Sequence, residues 1–133
     1  MILIIDTNRI IAALIKDSAC RNILEKQYHH FLAPDFSLDE IKKYGAVICK
    51  KAGLSSSEFD LLLHLIFYNI EIVPKLDYEK FVDKAEQLIG ERDAKDVPFL
   101  ALAMAKKADG IWSDDKDFLV QSKIKIYKTK ELV

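Results

Sequence analysis

Four consecutive apolar residues, Ile2-Leu3-Ile4-Ile5, stop at Asp6 with no polar residue alternating among them. A strand without alternation is one covered on both faces, and such strands belong to parallel sheets with helices above and below. Near the other end of the chain Ile111-Trp112-Ser113 stops at Asp114-Asp115-Lys116-Asp117 in the same way. Ligands of open α/β sheets bind at the carboxyl ends of the strands. Acids from opposite ends of this chain can therefore share one pocket.

Between these runs, helix patterns alternate with strand patterns. Asp6 or Thr7 is placed to cap a helix in which Ile10, Ile11, Leu14 and Ile15 recur at helical spacing, and after a break near Asp17-Ser18 a second short helix runs through Ile23 and Leu24. His29 to Ala33 reads as the second strand, closed by Pro34, and a long helix is expected from Asp35 to about Ala52, with Gly53 as its stop. Ser55-Ser56-Ser57-Glu58 has the form of a capping box and opens a helix through Leu61, Leu62, Leu65 and Ile66. A third strand falls around Ile70-Glu71-Ile72-Val73, ended by Pro74. Asp77 is expected to start a helix carrying Phe81, Val82, Ala85, Leu88 and Ile89 as far as Gly90, followed by a polar loop, Glu91 to Lys95. Asp96 precedes Val97-Pro98 and a helix over Phe99 to Ala108, proline being favoured just inside a helix start. Ile111 to Ser113 is the fourth strand, Phe118 to Ser122 a short helix, and Lys125 to Lys128 the fifth strand. This order predicts an α/β fold built on an open parallel sheet of about five strands with right-handed crossovers.

The 133 residues suffice for a single domain over 1–133, and a chain near this size buries roughly two-thirds of its unfolded surface without staples. Composition is that of a globular protein, half apolar and 31% charged, which argues against a disordered chain. No stretch approaches the roughly 20 apolar residues of a membrane span, and the apolar start meets Asp6 too soon for a secretory signal, so a soluble cytoplasmic protein is expected. Cys20 and Cys49 have neither CxxC spacing nor a histidine partner and are expected to be thiols in a reducing compartment. A net charge of −1 excludes the whole-molecule basic field of many nucleic-acid binders, although lysines cluster locally at Lys42, Lys43, Lys50 and Lys51 and along the tail.

Four acids fall at element ends that this topology can bring together: Asp6, Glu40, Asp96 and Asp115. Glu40 sits in the first turns of the long helix, where Leu38 and Ile41 would face the core and Asp39 would point elsewhere, about 100° away per residue. Asp93 with Asp96, and Asp115 with Asp117, can each offer a ligating oxygen and a supporting one. Carboxylates without histidine or cysteine beside them make a hard-oxygen site that suits magnesium or manganese rather than zinc or copper. Such a site can activate a water and stabilise the leaving oxygen of a phosphodiester. Each acid also has a plainer reading: Asp6 and Asp96 as helix caps, Glu40 as a solvated helix acid, Asp114, Asp115 and Asp117 as a polar turn. Their joint placement carries the signal.

Ile4-Ile5-Asp6-Thr7-Asn8, Ser37-Leu38-Asp39-Glu40-Ile41, the run Asp93 to Ala103 and Trp112-Ser113-Asp114-Asp115-Lys116-Asp117-Phe118 resemble, in order and spacing, the PIN domain, the nuclease module of VapC-type toxins. The resemblance implies a three-layer α/β/α fold and magnesium- or manganese-dependent endoribonuclease activity. By motif, Asp6, Glu40, Asp96 and Asp115 would be the acidic quartet, Asp117 a frequent extra acid, and Asn8 and Ser113 small polar residues that orient a carboxylate or water. Asp114 fills the variable position of the last motif. Asp93 competes with Asp96 for the third acidic place, and Asp96 is preferred because it lies immediately before the helix. Relatives of this kind are often homodimers.

Arg9, Arg92, Lys95 and Lys116 flank the acids and could hold RNA phosphates, a sequence-independent role, or serve solubility. Tyr44 and Trp112 offer stacking surfaces but are better read as packing. His29, His30 and His64 lie away from the acids and are assigned no chemistry. Phe59, Leu62, Leu63 and Phe67 exceed one helical face and suit a core or a groove for a partner helix. The leading expectation is a metal-dependent ribonuclease acting as a toxin restrained by an antitoxin protein. The alternative is a non-catalytic scaffold of the same fold that binds RNA or protein and keeps its acids as caps. A phosphoacceptor domain would want paired acids after strand one, and a haloacid-dehalogenase-like phosphatase an aspartate where Asn8 stands.

Overall fold

The amino-terminal apolar run becomes the centre of the sheet. In the computed structural model, which describes residues 1–16, 18–90 and 94–133, β1 (Ile2–Ile5) lies between β2 (His30–Pro34) and β4 (Gly110–Trp112). With β3 (Ile70–Val73) and β5 (Ile126–Tyr127) at the edges, the order is β3-β2-β1-β4-β5 and every pairing is parallel. Alternate residues of β1 serve opposite layers. Leu3 and Ile5 join the cluster formed with α1 (Thr7–Ile15), α2 (Ser18–Lys26), α3 (Asp35–Lys43), α4 (Gly45–Ala52) and α5 (Ser56–Phe67), whereas Ile4 joins the cluster formed with α6 (Val82–Ile89) and α7 (Val97–Ala105). Each such fully buried aliphatic side chain contributes about 1.5–3 kcal/mol. The result is a three-layer α/β/α arrangement, and only Ile2, 38% exposed at the sheet's amino edge, departs from the expected two-sided burial.

Local chemistry accounts for the element starts. Asp6 caps α1 by accepting the Asn8 amide at 3.4 Å, and the Ser55/Glu58 capping box that opens α5 is complete, with bonds of 3.1 and 3.0 Å. α7 is apolar on nearly every side because it is enclosed: Val97 and Phe99 through Ala103 are all buried. Phe59 and Leu63 are core and Leu62 and Phe67 pack against them, whereas Leu61 and Leu65, expected on the buried face, are 62% and 56% exposed, so only part of the apolar excess of α5 belongs to the interior. Trp112 is fully buried with its ring centroid 5.4 Å from that of Phe31, which leaves it unable to stack on a base. No helix among the described residues is long and apolar enough to cross a membrane.

Several boundaries differ from the expected ones. The helix from Asp35 breaks at Tyr44 (φ −95°, ψ 13°), and α4 restarts at Gly45, where a Cβ would come within 3.3 Å of the Phe59 ring. The break lets α4 lie closely on α5 and ends α3 one turn beyond Glu40. Residues 75–81 form two short 3-10 turns, delaying α6 to Val82. Buried Tyr78 holds this segment by donating its hydroxyl to Asp35 Oδ1 at 3.2 Å, a tertiary contact that outweighs the local helix pattern. Lys116–Val120 is a 3-10 turn, and the chain closes with an unexpected short helix, α8 (Thr129–Leu132).

Candidate functional site

Because β1 connects toward β2 while β4 lies on its other side, a crevice opens at the carboxyl ends of β1 and β4, as expected where strand order reverses. A cleft of 240 Å³ occupies this place, and Asp6, Asn8, Glu40, Tyr44, Lys95, Asp96 and Asp115 contribute to its walls. Four segments widely separated in sequence thus deliver one carboxylate each. A larger cavity, 740 Å³, opens at the opposite, amino edge around Tyr28, His29 and His30. Its acids are engaged locally, Asp109 accepting the Ile2 amide at 2.7 Å and Glu71 facing His30 at 3.9 Å, so the smaller cleft is the one with concentrated charge.

Asp6 is 5% exposed. Its Oδ2 accepts the Ser113 hydroxyl at 2.7 Å, and Ser113 Oγ in turn accepts the Asp115 amide at 3.0 Å, so one buried hydroxyl couples the two acids. Burial pushes the Asp6 carboxyl above its ordinary value, with Asp115 adding to the rise; the Ser113 and Asn8 hydrogen bonds and Arg9 work against it. Asp96 stands at the N-cap of α7 but makes no side-chain cap bond; its backbone carbonyl accepts the first helical amides, and its carboxylate lines the cleft with Oδ2 shielded from solvent. Asp115 caps the following turn by accepting the Asp117 amide at 2.9 Å. Carboxylate oxygens of Asp96, Asp115 and Asp117 lie within 4.8 Å of one another. Glu40 is half-buried on the facing wall, its Oε2 4.0 Å from Lys95 Nζ. Asp39 is exposed, as the helical spacing requires.

The cap reading therefore fits Asp6 and Asp115 in part and does not fit Asp96. Asn8 and Lys95 reach the cleft, and Lys116 is exposed beside Asp115 and Asp117. Arg9 is otherwise engaged: its guanidinium Nη1 lies 2.8 Å from Asp114 Oδ2. Asp93 and Arg92 lie outside the described residues. Two features carried no signal in the sequence. Thr7 and Ser37, both buried, share a 2.9 Å hydroxyl–hydroxyl bond that ties the start of α1 to the helix bearing Glu40. Asp114 accepts both the amide and the hydroxyl of Thr129 and pairs with Arg9. Burial would raise its carboxyl, but these bonds, with Arg9 and Lys128, outweigh burial and hold it below the ordinary value.

Oxygen donors around an ion with bonds of about 2.1–2.5 Å lie at most about 4–5 Å apart. The Asp96, Asp115 and Asp117 spacing meets that limit, and an all-carboxylate donor set fits a hard divalent cation. A family model for the PIN domain matches residues 4–132. No curated protein matches significantly. Among solved structures, a chain of VapBC2 from Rickettsia felis bound to a DNA fragment from their promoter has a similar fold, with a TM-score of 0.70 at 19% identity over 96% of this chain and 98% of that one.

Proposed function

The chain belongs to the PIN domain family, and from that premise we propose that it is one nuclease domain over residues 1–133, a magnesium- or manganese-dependent endoribonuclease acting as the toxin of a toxin–antitoxin pair. The observation that carries the proposal is the convergence of Asp6, Glu40, Asp96 and Asp115 on one cleft at the carboxyl ends of β1 and β4. Asp96, Asp115 and Asp117, with Asp6 and Glu40 beside them, would hold the cation, which would supply activation of water and charge stabilisation of the leaving oxygen in phosphodiester hydrolysis.

The chain's own groups prepare that chemistry. Ser113 and the Asn8 amide oppose the burial of Asp6 and help keep its carboxylate ionised. Thr7 and Ser37 fix Asp6 and Glu40 on one frame. Lys95, whose Nζ lies 4.0 Å from Glu40 Oε2, and exposed Lys116 would meet RNA phosphates without reading sequence. Arg9 is not assigned this role, since it serves Asp114. The likeness to VapBC2 supports an antitoxin protein as partner, and a homodimer is part of the same proposal.

A scaffold reading draws on the capping bonds of Asp6 and Asp115. Manganese titration by calorimetry separates the two, on wild type and on an Asp6→Asn/Asp96→Asn variant checked for folding, alongside cleavage of RNA pools. The nuclease reading expects saturable binding and manganese-dependent cleavage in wild type, both lost in the variant. A folded wild type that neither binds manganese nor cuts RNA would overturn it in favour of the scaffold.

A further inference from the structure

We propose that Asp114 is a positioning residue for the acidic cleft, and that Thr129, in the terminal helix, is the buckle through which it acts. Successive side chains of the segment after β4 diverge. Ser113 turns to Asp6 and Asp115 to the cleft, while Asp114 turns outward to Arg9 and Thr129. Its Oδ1 accepts the Thr129 amide at 2.9 Å; its Oδ2 accepts the Thr129 hydroxyl at 2.6 Å and the Arg9 guanidinium at 2.8 Å. The Thr129 hydroxyl is also used as an acceptor, by the indole Nε1 of fully buried Trp112 at 3.0 Å.

This arrangement has a consequence for the acids. Arg9 lies on the first turn of α1, three residues past Asp6, so its bond to Asp114 joins the two segments that deliver Asp6 and Asp115. The Ser113–Asp6 bond ties the same two segments from inside. Clamped on both sides, the loop has its amides committed: Asp115 N–H to Ser113 Oγ and Asp117 N–H to Asp115 Oδ1. The spacing of Asp115 and Asp117 then depends on a carboxylate and on a helix that do not line the cleft. Outer groups of this kind commonly tune a cation site without touching the ion.

The proposal rests on the cation-binding reading of the cleft, and its test separates the two. Four variants are compared with wild type: Asp114→Ala, Asp114→Asn, Thr129→Val and Thr129→Ser. The readouts are manganese affinity by calorimetry and backbone amide exchange by NMR. Asp114→Ala and Thr129→Val are expected to weaken manganese binding about 10-fold. They should also speed exchange at the Asp115 and Asp117 amides by roughly tenfold while leaving the β2 amides at wild-type rates. Thr129→Ser keeps the hydroxyl and should behave as wild type; Asp114→Asn keeps one oxygen to accept the Thr129 amide but puts an NH2 donor where Oδ2 accepts the Thr129 hydroxyl and Arg9, and should fall between. Exchange at the two amides within about twofold of wild type, or acceleration spread evenly over the sheet, would overturn the proposal. If wild type binds no manganese, the cation-binding reading of the cleft fails and the exchange rates still decide the role of Asp114.

Discussion

Replacing Ser113 by alanine removes the hydroxyl that joins Asp6 to Asp115, and its cost follows from two bonds. The first, 2.7 Å to a carboxylate that is 5% exposed, is charge-assisted and contributes about 1.5–3 kcal/mol. The second, from the Asp115 amide at 3.0 Å, is neutral and half-buried, so that water replaces part of it; it contributes about 0.5–1 kcal/mol. Together they predict a loss of about 2–4 kcal/mol near pH 7 in the presence of chelator. Urea unfolding checks this: with a slope of about 2 kcal/mol per molar, the midpoint should drop by about 1–2 M with the slope unchanged. The loss should also depend on pH. The Ser113 bond lowers the folded pKa of Asp6, so its removal raises that pKa further above the unfolded value. The deficit is therefore greatest at neutral pH and shrinks as pH falls through the variant's folded pKa. Combining Ser113→Ala with Asp6→Asn should give a coupling of about 1 kcal/mol or more. A loss below about 1 kcal/mol, or no coupling, would refute the idea that this hydroxyl holds Asp6 in its charged form.

Two further outcomes follow from the same geometry. Asp6 has a folded pKa above its ordinary 3.8, so the folded chain holds the extra proton in between and this group's contribution to stability falls as pH rises through that window. Asp6→Asn should abolish the effect, so in chelator the variant should gain on wild type in urea midpoint between about pH 4 and about pH 7; a gap that stays constant or narrows would contradict the burial argument. At Gly110 an added Cβ would meet Lys125 O and Tyr127 Cε2, each at 2.6 Å, so Gly110→Ala should push β5 from β4 and cost about 1–3 kcal/mol in thermal unfolding. An unchanged melting temperature would show that the β4–β5 contact is looser than this spacing implies.

Periodicity carried the layer order because it reports burial directly. Ile2 to Ile5 read as a strand covered on both faces, which holds for Leu3, Ile4 and Ile5, and the apolar spacing of Ile10 and Leu14 as a helix packed on it. The Ser55–Glu58 capping box was equally legible, since its partners are three residues apart. Asp6, Asp96 and Asp115 were legible for a related reason: each sits at an element end, and in a parallel sheet the carboxyl ends of strands share one side, whereas Glu40 lies within α3. Local pattern failed where a distant residue decided the outcome. Tyr78 anchored on Asp35 displaces the start of α6, and the Phe59 ring against Gly45 divides the helix expected from Asp35 into two.

The same division runs through the cleft. Sequence alone determined that the chain makes a parallel α/β sheet and that Asp6, Glu40, Asp96 and Asp115 stand where such a sheet gathers ligands. Only the tertiary structure decided how those carboxylates are held. Asp96 makes no side-chain cap bond, Asp6 leans on Ser113, Asp117 joins the spacing of Asp96 and Asp115, and Arg9 pairs with Asp114. These choices depend on hydrogen bonds between residues far apart in the chain, whose geometry is set by how the elements pack and leaves no periodic trace in the sequence.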